Sequence, residues 1–266
     1  MDTAAGAPAA VAPFARLCGL DKHFADGTVA LRGLDLTIEP GTFVALVGPS
    51  GCGKSTVLRI LAGLAAPSAG SVEFSRDGAG RPEDRRRSIG YVFQDPTLMP
   101  WLNVRQNVAL PLRLGGEARR ETARRAQAAL ASVGLADFAA AHPRQLSGGM
   151  RMRVSMARAI VTRPTVLLLD EPFAALDELT RWNLNVDLLQ LWARERFTAV
   201  FVTHSVSEAV FLSQRVCVMT ARPGRIIGDY SIDIPVGLRT PEIRTSASYN
   251  ERVRDIAHCL RGGMHA

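Results

Sequence analysis

Phe43-Val44-Ala45-Leu46-Val47-Gly48-Pro49-Ser50-Gly51-Cys52-Gly53-Lys54-Ser55-Thr56 is the stretch on which the reading of this chain turns. Its opening residues, Phe43 to Val47, are apolar on both faces, as a strand buried in a parallel sheet must be. The residues after them fit GxxxxGK[ST], and they stand between that strand and the start of a helical stretch. Glycines let the backbone curl so that successive N–H groups face phosphate oxygens, and a helix N-terminus adds partial positive charge. Lys54 is placed to reach the β- and γ-phosphates, and Ser55 to offer its hydroxyl to Mg²⁺. Gly48, Pro49, Ser50, Gly51, Cys52, Gly53, Lys54, Ser55 and Thr56 are therefore the first candidate nucleotide-binding residues.

Working outward, Val166-Leu167-Leu168-Leu169 and Ala199-Val200-Phe201-Val202 repeat the doubly apolar strand pattern between helical stretches. This predicts an α/β fold with a mainly parallel sheet. Leu34, Leu36 and Ile38 alternate with polar residues and stop at Pro40-Gly41, a half-buried strand ending in a turn. Tyr230, Ile232 and Ile234 alternate likewise and predict a one-sided antiparallel strand. Residues 97–160 change to helical periodicity, with Ala126, Leu130 and Val133 as an apolar stripe and Gly134 placed to stop the helix. Tyr249, Val253, Ile256 and Leu260 mark a last amphipathic helix. The expected division is a flexible tail over 1–13, a nucleotide-binding domain over 14–235 with its helical insertion, and a helical extension over 236–266.

The chain has 266 residues, and its apolar share of 47% excludes a disordered or fibrous protein. A net charge of +7 invites nucleic acid or acidic lipid as partner. The arginines gather instead in short stretches (Arg81 with Arg85–Arg87, then Arg119, Arg120, Arg124 and Arg125) without aromatic interleaving, so solvated faces are the simpler reading. The four cysteines form no CxxC pair, which argues against a zinc site or a disulfide framework and fits a reducing compartment. No apolar run approaches the roughly 18 residues of a membrane span, so a cytoplasmic chain is expected. Cys52, inside the phosphate loop, raises the expectation of sensitivity to thiol reagents.

Two carboxylates follow the strand at Val166. Ligand crevices lie at the carboxyl ends of parallel strands, so Asp170 would stand beside the phosphates to hold Mg²⁺ or its water. Glu171 could orient or deprotonate an attacking water. A nucleotide kinase or a GTPase remains open at this point. Leu146-Ser147-Gly148-Gly149-Met150 narrows the choice: Ser147 can cap a helix with the stripe Met150, Val154, Ala157, Val161, while Gly148 and Gly149 leave N–H groups bare for a phosphate.

With Walker A as GPSGCGKST, a signature as LSGGM and Walker B as VLLLDE, in that order, roughly residues 14 to 235 resemble the ATP-binding subunits of ABC transporters. The resemblance implies a P-loop, RecA-like core with an inserted α-helical subdomain and an antiparallel β portion, and ATP with Mg²⁺ as cofactors. It implies that Phe24 stacks on adenine, although a lone Phe near a strand reads as core. It gives Gln94 contact with Mg²⁺ and the attacking water, and His204 contact with the γ-phosphate, although a lone His after a strand is usually structural. Asp177 falls in the loop that crosses the dimer interface, and Ser147, Gly148 and Gly149 would meet the ATP of a second copy facing head to tail. Met150, Met152, Ala174 and Ser205 depart from the common pattern without removing a group assigned to phosphate, metal or water.

Transport then implies separate transmembrane permease subunits, indirectly an extracytoplasmic solute-binding protein, and a place on the cytoplasmic face of the membrane. Pro96-Thr97-Leu98-Met99-Pro100-Trp101 looks like the permease-facing surface, with a buried Trp101 at a helix entry as the other reading. Glu171 to Asp177 and Ala221-Arg222-Pro223-Gly224-Arg225-Ile226 are similar to the importer branch for nitrate, sulfonates, taurine and pyrimidine precursors. The alternative is a soluble ABC ATPase working on nucleic acid or the ribosome, but a single cassette with no zinc insertion speaks against it, and no nucleic-acid partner is expected. A small-molecule kinase offers no reason for LSGGM.

Overall fold

A computed structural model describes residues 12–74 and 89–263. The proposed tail, except for its last residues, and the cluster Arg81, Arg85–Arg87 lie outside the described residues.

The larger sheet is built on β3 (Phe43–Val47), which pairs in parallel with β7 (Thr198–Thr203) on one side and β8 (Arg215–Met219) on the other. β6 (Val166–Asp170) and β5 (Ile89–Val92) continue the parallel ladder beyond β7. β9 (Ile226–Ser231) closes the far edge antiparallel to β8, giving the order β5-β6-β7-β3-β8-β9. β3, β6 and β7 are buried along their whole length, and for that reason they read as unbroken apolar runs.

The pleat sends alternate residues of these strands into two cores. Phe43, Leu167, Leu169 and Phe201 join Trp192 of α5 (Glu178–Glu195) and the helices α6 (Val206–Leu212) and α7 (Ala247–Gly262). Val44, Leu46, Leu168 and Val202 face α1 (Lys54–Leu61) and a second sheet. That sheet is antiparallel, with β1 (Ala15–His23) between β2 (Val29–Ile38) and β4 (Ala69–Phe74). Leu34, Leu36 and Ile38 are buried on it while Asp35 is exposed, as their alternation requires.

The helical insertion holds a core of its own between α2 (Val104–Leu114), α3 (Arg119–Ser132) and α4 (Gly148–Ile160). α3 ends where Gly134 takes a left-handed φ of +70°. Tyr249 and Ile256 bury α7 against the first core, and the Tyr249 hydroxyl donates to the Ser207 carbonyl at 2.8 Å.

The strand expected over Tyr230 to Ile234 lies earlier, since β9 ends at Ser231. β8 begins at Arg215, opposite Ser231, so later residues have no strand to pair with. Ile232 adds one further bond, to the Gln214 carbonyl, and Ile234 falls outside the ladder.

Candidate nucleotide site

The loops after β3, β5, β6, β7 and β8 all leave the sheet at its carboxyl edge, where α/β folds hold their ligands. The phosphate loop bends through Gly51 at φ +76° and Gly53 at φ +102°, values that a side chain would strain. α1 starts with no side-chain cap and no acidic residue in its first turn, so its leading N–H groups stay open to an anion.

Lys54 is almost fully buried, and its Nζ donates to the Gly48 and Pro49 carbonyls at 2.8 and 3.0 Å. The same Nζ lies 3.5 Å from Glu171 Oε1, and the other oxygen of that carboxylate lies 3.2 Å from His204 Nδ1. Glu171 thus sits between an ammonium and an imidazole. Its backbone takes φ +44°, tied by its N–H to the Val202 carbonyl at 3.0 Å. A non-glycine residue held in this region by its surroundings is characteristic of functional sites.

Asp170 ends β6 beside it. Ser55 Oγ donates to Asp170 Oδ1 at 2.6 Å, and the Tyr91 hydroxyl donates to Asp170 Oδ2 at 3.1 Å. Burial, and then the Asp170 charge, push the Tyr91 phenol far above its ordinary range. A hydroxyl and a carboxylate beside a phosphate loop are hard oxygen donors of the number Mg²⁺ takes from protein when phosphates and waters fill its other positions.

A cavity of about 160 Å³ opens beside these groups, lined among others by Phe24, Thr28, Gly53, Lys54, Ser55 and Glu171. Phe24 is 42% exposed at its wall, so it is not a core residue. Gln94 lies two residues beyond Val92, which pairs with Leu169, so its segment leaves the sheet beside Asp170, with the side chain exposed. Trp101 is 71% exposed, which removes the reading of it as a buried helix entry. Cys52 is buried, and desolvation raises its thiol pKa, both of which argue against the expected thiol sensitivity.

The remaining candidates gather elsewhere. Ser147 caps α4, its Oγ accepting from the Met150 N–H at 3.2 Å. Asp177 caps α5, accepting from the Thr180 N–H at 3.0 Å, and bonds to Thr180 hold its carboxyl below the usual range. Gly148 and Gly149 pack against Leu176 and Thr180; a Cβ on Gly149 would come within 2.6 Å of Thr180 Cγ2. None of these four lines the cavity. Sequence reasoning missed Tyr91 and Arg222. Tyr91 left a weak signal, as a hydroxyl in an otherwise apolar strand must find a partner, whereas Arg222, another lining residue of the cavity, left none in spacing or periodicity.

Residues 31–174 match the family model described as ABC transporter. The chain belongs to the ABC transporter family. This ABC cassette is 44% identical over 217 residues to the nitrate import ATP-binding protein NrtD of Synechocystis sp., covering 82% of this chain and 80% of that one. It is 47% identical over 223 residues to the aliphatic sulfonates import ATP-binding protein SsuB 1 of Pseudomonas syringae pv. syringae, covering 84% and 86%. Among solved structures, a dimeric post-hydrolysis state of the ATP-binding cassette MJ0796, bound to ADP and Pi, superposes with a TM-score of 0.72 at 33% identity, over 83% of this chain and all of that one. Like its family, the ABC cassette described here is an ATPase with the α/β architecture expected from its strands. The relatives do not favour the nucleic-acid or ribosome alternative.

Proposed function

We propose that this chain is the ATPase subunit of an ABC importer for a small anionic or zwitterionic nutrient of the nitrate, sulfonate or taurine kind, pyrimidine precursors included. The observation that carries the catalytic part is Glu171 held between Lys54 and His204 at the carboxyl edge of the sheet. In this reading the base stacks on Phe24, and the phosphates lie on the N–H groups of Gly51 to Thr56, of which that of Cys52 donates to the Pro49 carbonyl in the structure at 3.3 Å. Lys54 leaves its loop carbonyls for the β- and γ-oxygens, where developing charge is greatest. Glu171 accepts the proton of a water aligned with the γ-phosphorus, and His204 holds the γ-oxygens and steadies that carboxylate. Ser55 and Asp170, with Gln94, would hold Mg²⁺, which neutralises phosphate charge when bound.

Each ATP is completed by Ser147, Gly148 and Gly149 of a second copy, with Asp177 at the crossing. Loss of the γ-phosphate removes the contacts that close the dimer, and the opening drives the permease. Among the described residues no helix is long and apolar enough to cross a membrane. Attachment at the cytoplasmic face through permease subunits, fed by a solute-binding protein, is part of the same reading. The exposed Trp101 segment beside Gln94 is the surface offered to that permease. Purifying the tagged chain from gently solubilised native membranes tests it. Co-purification with a multi-span protein is the expected result, and recovery only with ribosomes or DNA overturns it.

A further inference from the structure

Ala221-Arg222-Pro223-Gly224-Arg225-Ile226 leaves the carboxyl end of β8, next to the strand that carries the phosphate loop. Arg222 lines the same cavity as Phe24, Gly53 and Lys54. Its Nε and Nη2 both donate to the Gly51 carbonyl, at 3.1 and 3.0 Å, so the guanidinium rests on the phosphate loop itself. A guanidinium carries five N–H donors. Those bonds to Gly51 are the hydrogen bonds its side chain makes among the described residues, and it forms no ion pair there, so its other donors stay unused at the cavity wall. The Asp26 carboxyl is held low chiefly by Thr28, with the Arg222 charge a minor further cause. Lys54 differs, because its charge is already answered by Glu171 and the loop carbonyls.

The loop that carries Arg222 is held firmly. The Gly224 N–H donates to the Ala30 carbonyl at 2.9 Å, and the Gly224 carbonyl accepts from the Arg32 N–H at 3.2 Å. Thr220 Oγ1 closes the loop on the Pro223 carbonyl at 3.0 Å. A side chain on Gly224 would collide with the Cys52 carbonyl, so the close seat against the phosphate loop requires glycine. An arginine fixed in this way loses little freedom on meeting an anion, and it presents planar, charge-assisted donors.

We propose that Arg222 is a further nucleotide-binding residue, donating from the β8–β9 loop to the phosphate chain of a nucleotide held between Phe24 and the phosphate loop. The proposal rests on the reading of this cavity as the ATP site. Calorimetric titration of the full chain with ATP, ADP and adenosine tests it on the wild type, Arg222→Ala, Arg222→Lys and a Lys54→Ala control. Arg222→Ala is expected to weaken ATP and ADP by about tenfold, the worth of one charge-assisted bond, and to leave adenosine unchanged. Arg222→Lys recovers part of the loss. Unchanged ATP and ADP affinity in Arg222→Ala overturns the proposal. So does an equal loss for adenosine together with a lower melting temperature without nucleotide, which would make Arg222 only a prop for Gly51. Failure of the ATP-site reading has a different signature, since wild type and Lys54→Ala would then bind ATP alike.

Discussion

The cavity around Lys54 and the helix end at Ser147 are the two places proposed to meet phosphate, and they differ in what one chain supplies. At the cavity, β3, β6 and β7 bring an ammonium, two carboxylates, a hydroxyl and an imidazole within hydrogen-bonding or ion-pair distance of one another. At Ser147 there is a capped helix start with two glycines, packed against Leu176 and Thr180 and away from the cavity, with the Arg151 guanidinium bonded to the Leu146 carbonyl beside it. One region gathers acid, base and cation, whereas the other offers a helix start and one guanidinium. Under the proposed function, the difference means that one copy holds the nucleotide and the second edge meets its ligand on a neighbouring copy.

The largest expected effect breaks the cavity half. Glu171→Gln should keep ATP affinity, lower phosphate release by about a hundredfold or more, and accumulate a nucleotide-bound dimer. Phosphate release and light scattering check this, and turnover within threefold of wild type would end the role of Glu171. Next comes the division between the halves. Lys54→Ala should lose ATP binding, whereas Ser147→Ala should keep it in the isolated chain and slow hydrolysis about tenfold. Mixing the two variants regenerates one intact composite site, so the mixture should hydrolyse ATP faster than either alone; no gain on mixing would refute the head-to-tail arrangement. The smallest effect sharpens the description of the cavity half. Tyr91→Phe removes the donor on Asp170 Oδ2 and should shift half-saturating Mg²⁺ for hydrolysis by about threefold, a fraction of one charge-assisted hydrogen bond.

Much of the cavity half was legible in the sequence because its parts are local. A buried strand, a glycine turn and a helix start occur within Phe43 to Thr56, and Asp170-Glu171 ends another buried strand. The cap at Ser147 was legible for the same reason, since a cap acts on its own helix, whereas Asp177 entered only through the family resemblance and its cap on α5 emerged from the structure. Tyr91 and Arg222 were not, because their partners lie across the fold: Asp170 is reached from the sheet edge, and Gly51 from the loop after β8. The exposure of Phe24 and Trp101 was equally hidden, since an aromatic residue beside a strand or helix entry looks the same in sequence whether packed or bare. The strand at the chain's far edge was misplaced because alternation continues past the end of its partner.

Arg158 gives the helical insertion a mechanical property. Its guanidinium grips the Pro96 and Thr97 carbonyls at 2.8 and 2.9 Å, with a further bond to Thr97 Oγ1 at 2.9 Å. Thr97 itself takes φ +47°, so the segment is pinned in a backbone shape that it would not keep alone. Arg158 stands near the end of the 13-residue helix whose other end is Ser147. At about 1.5 Å per residue that helix is a stiff rod about 20 Å long. Arg158 therefore fastens the Thr97 segment to the same stiff helix that begins at Ser147, so the two are tied to one rigid element.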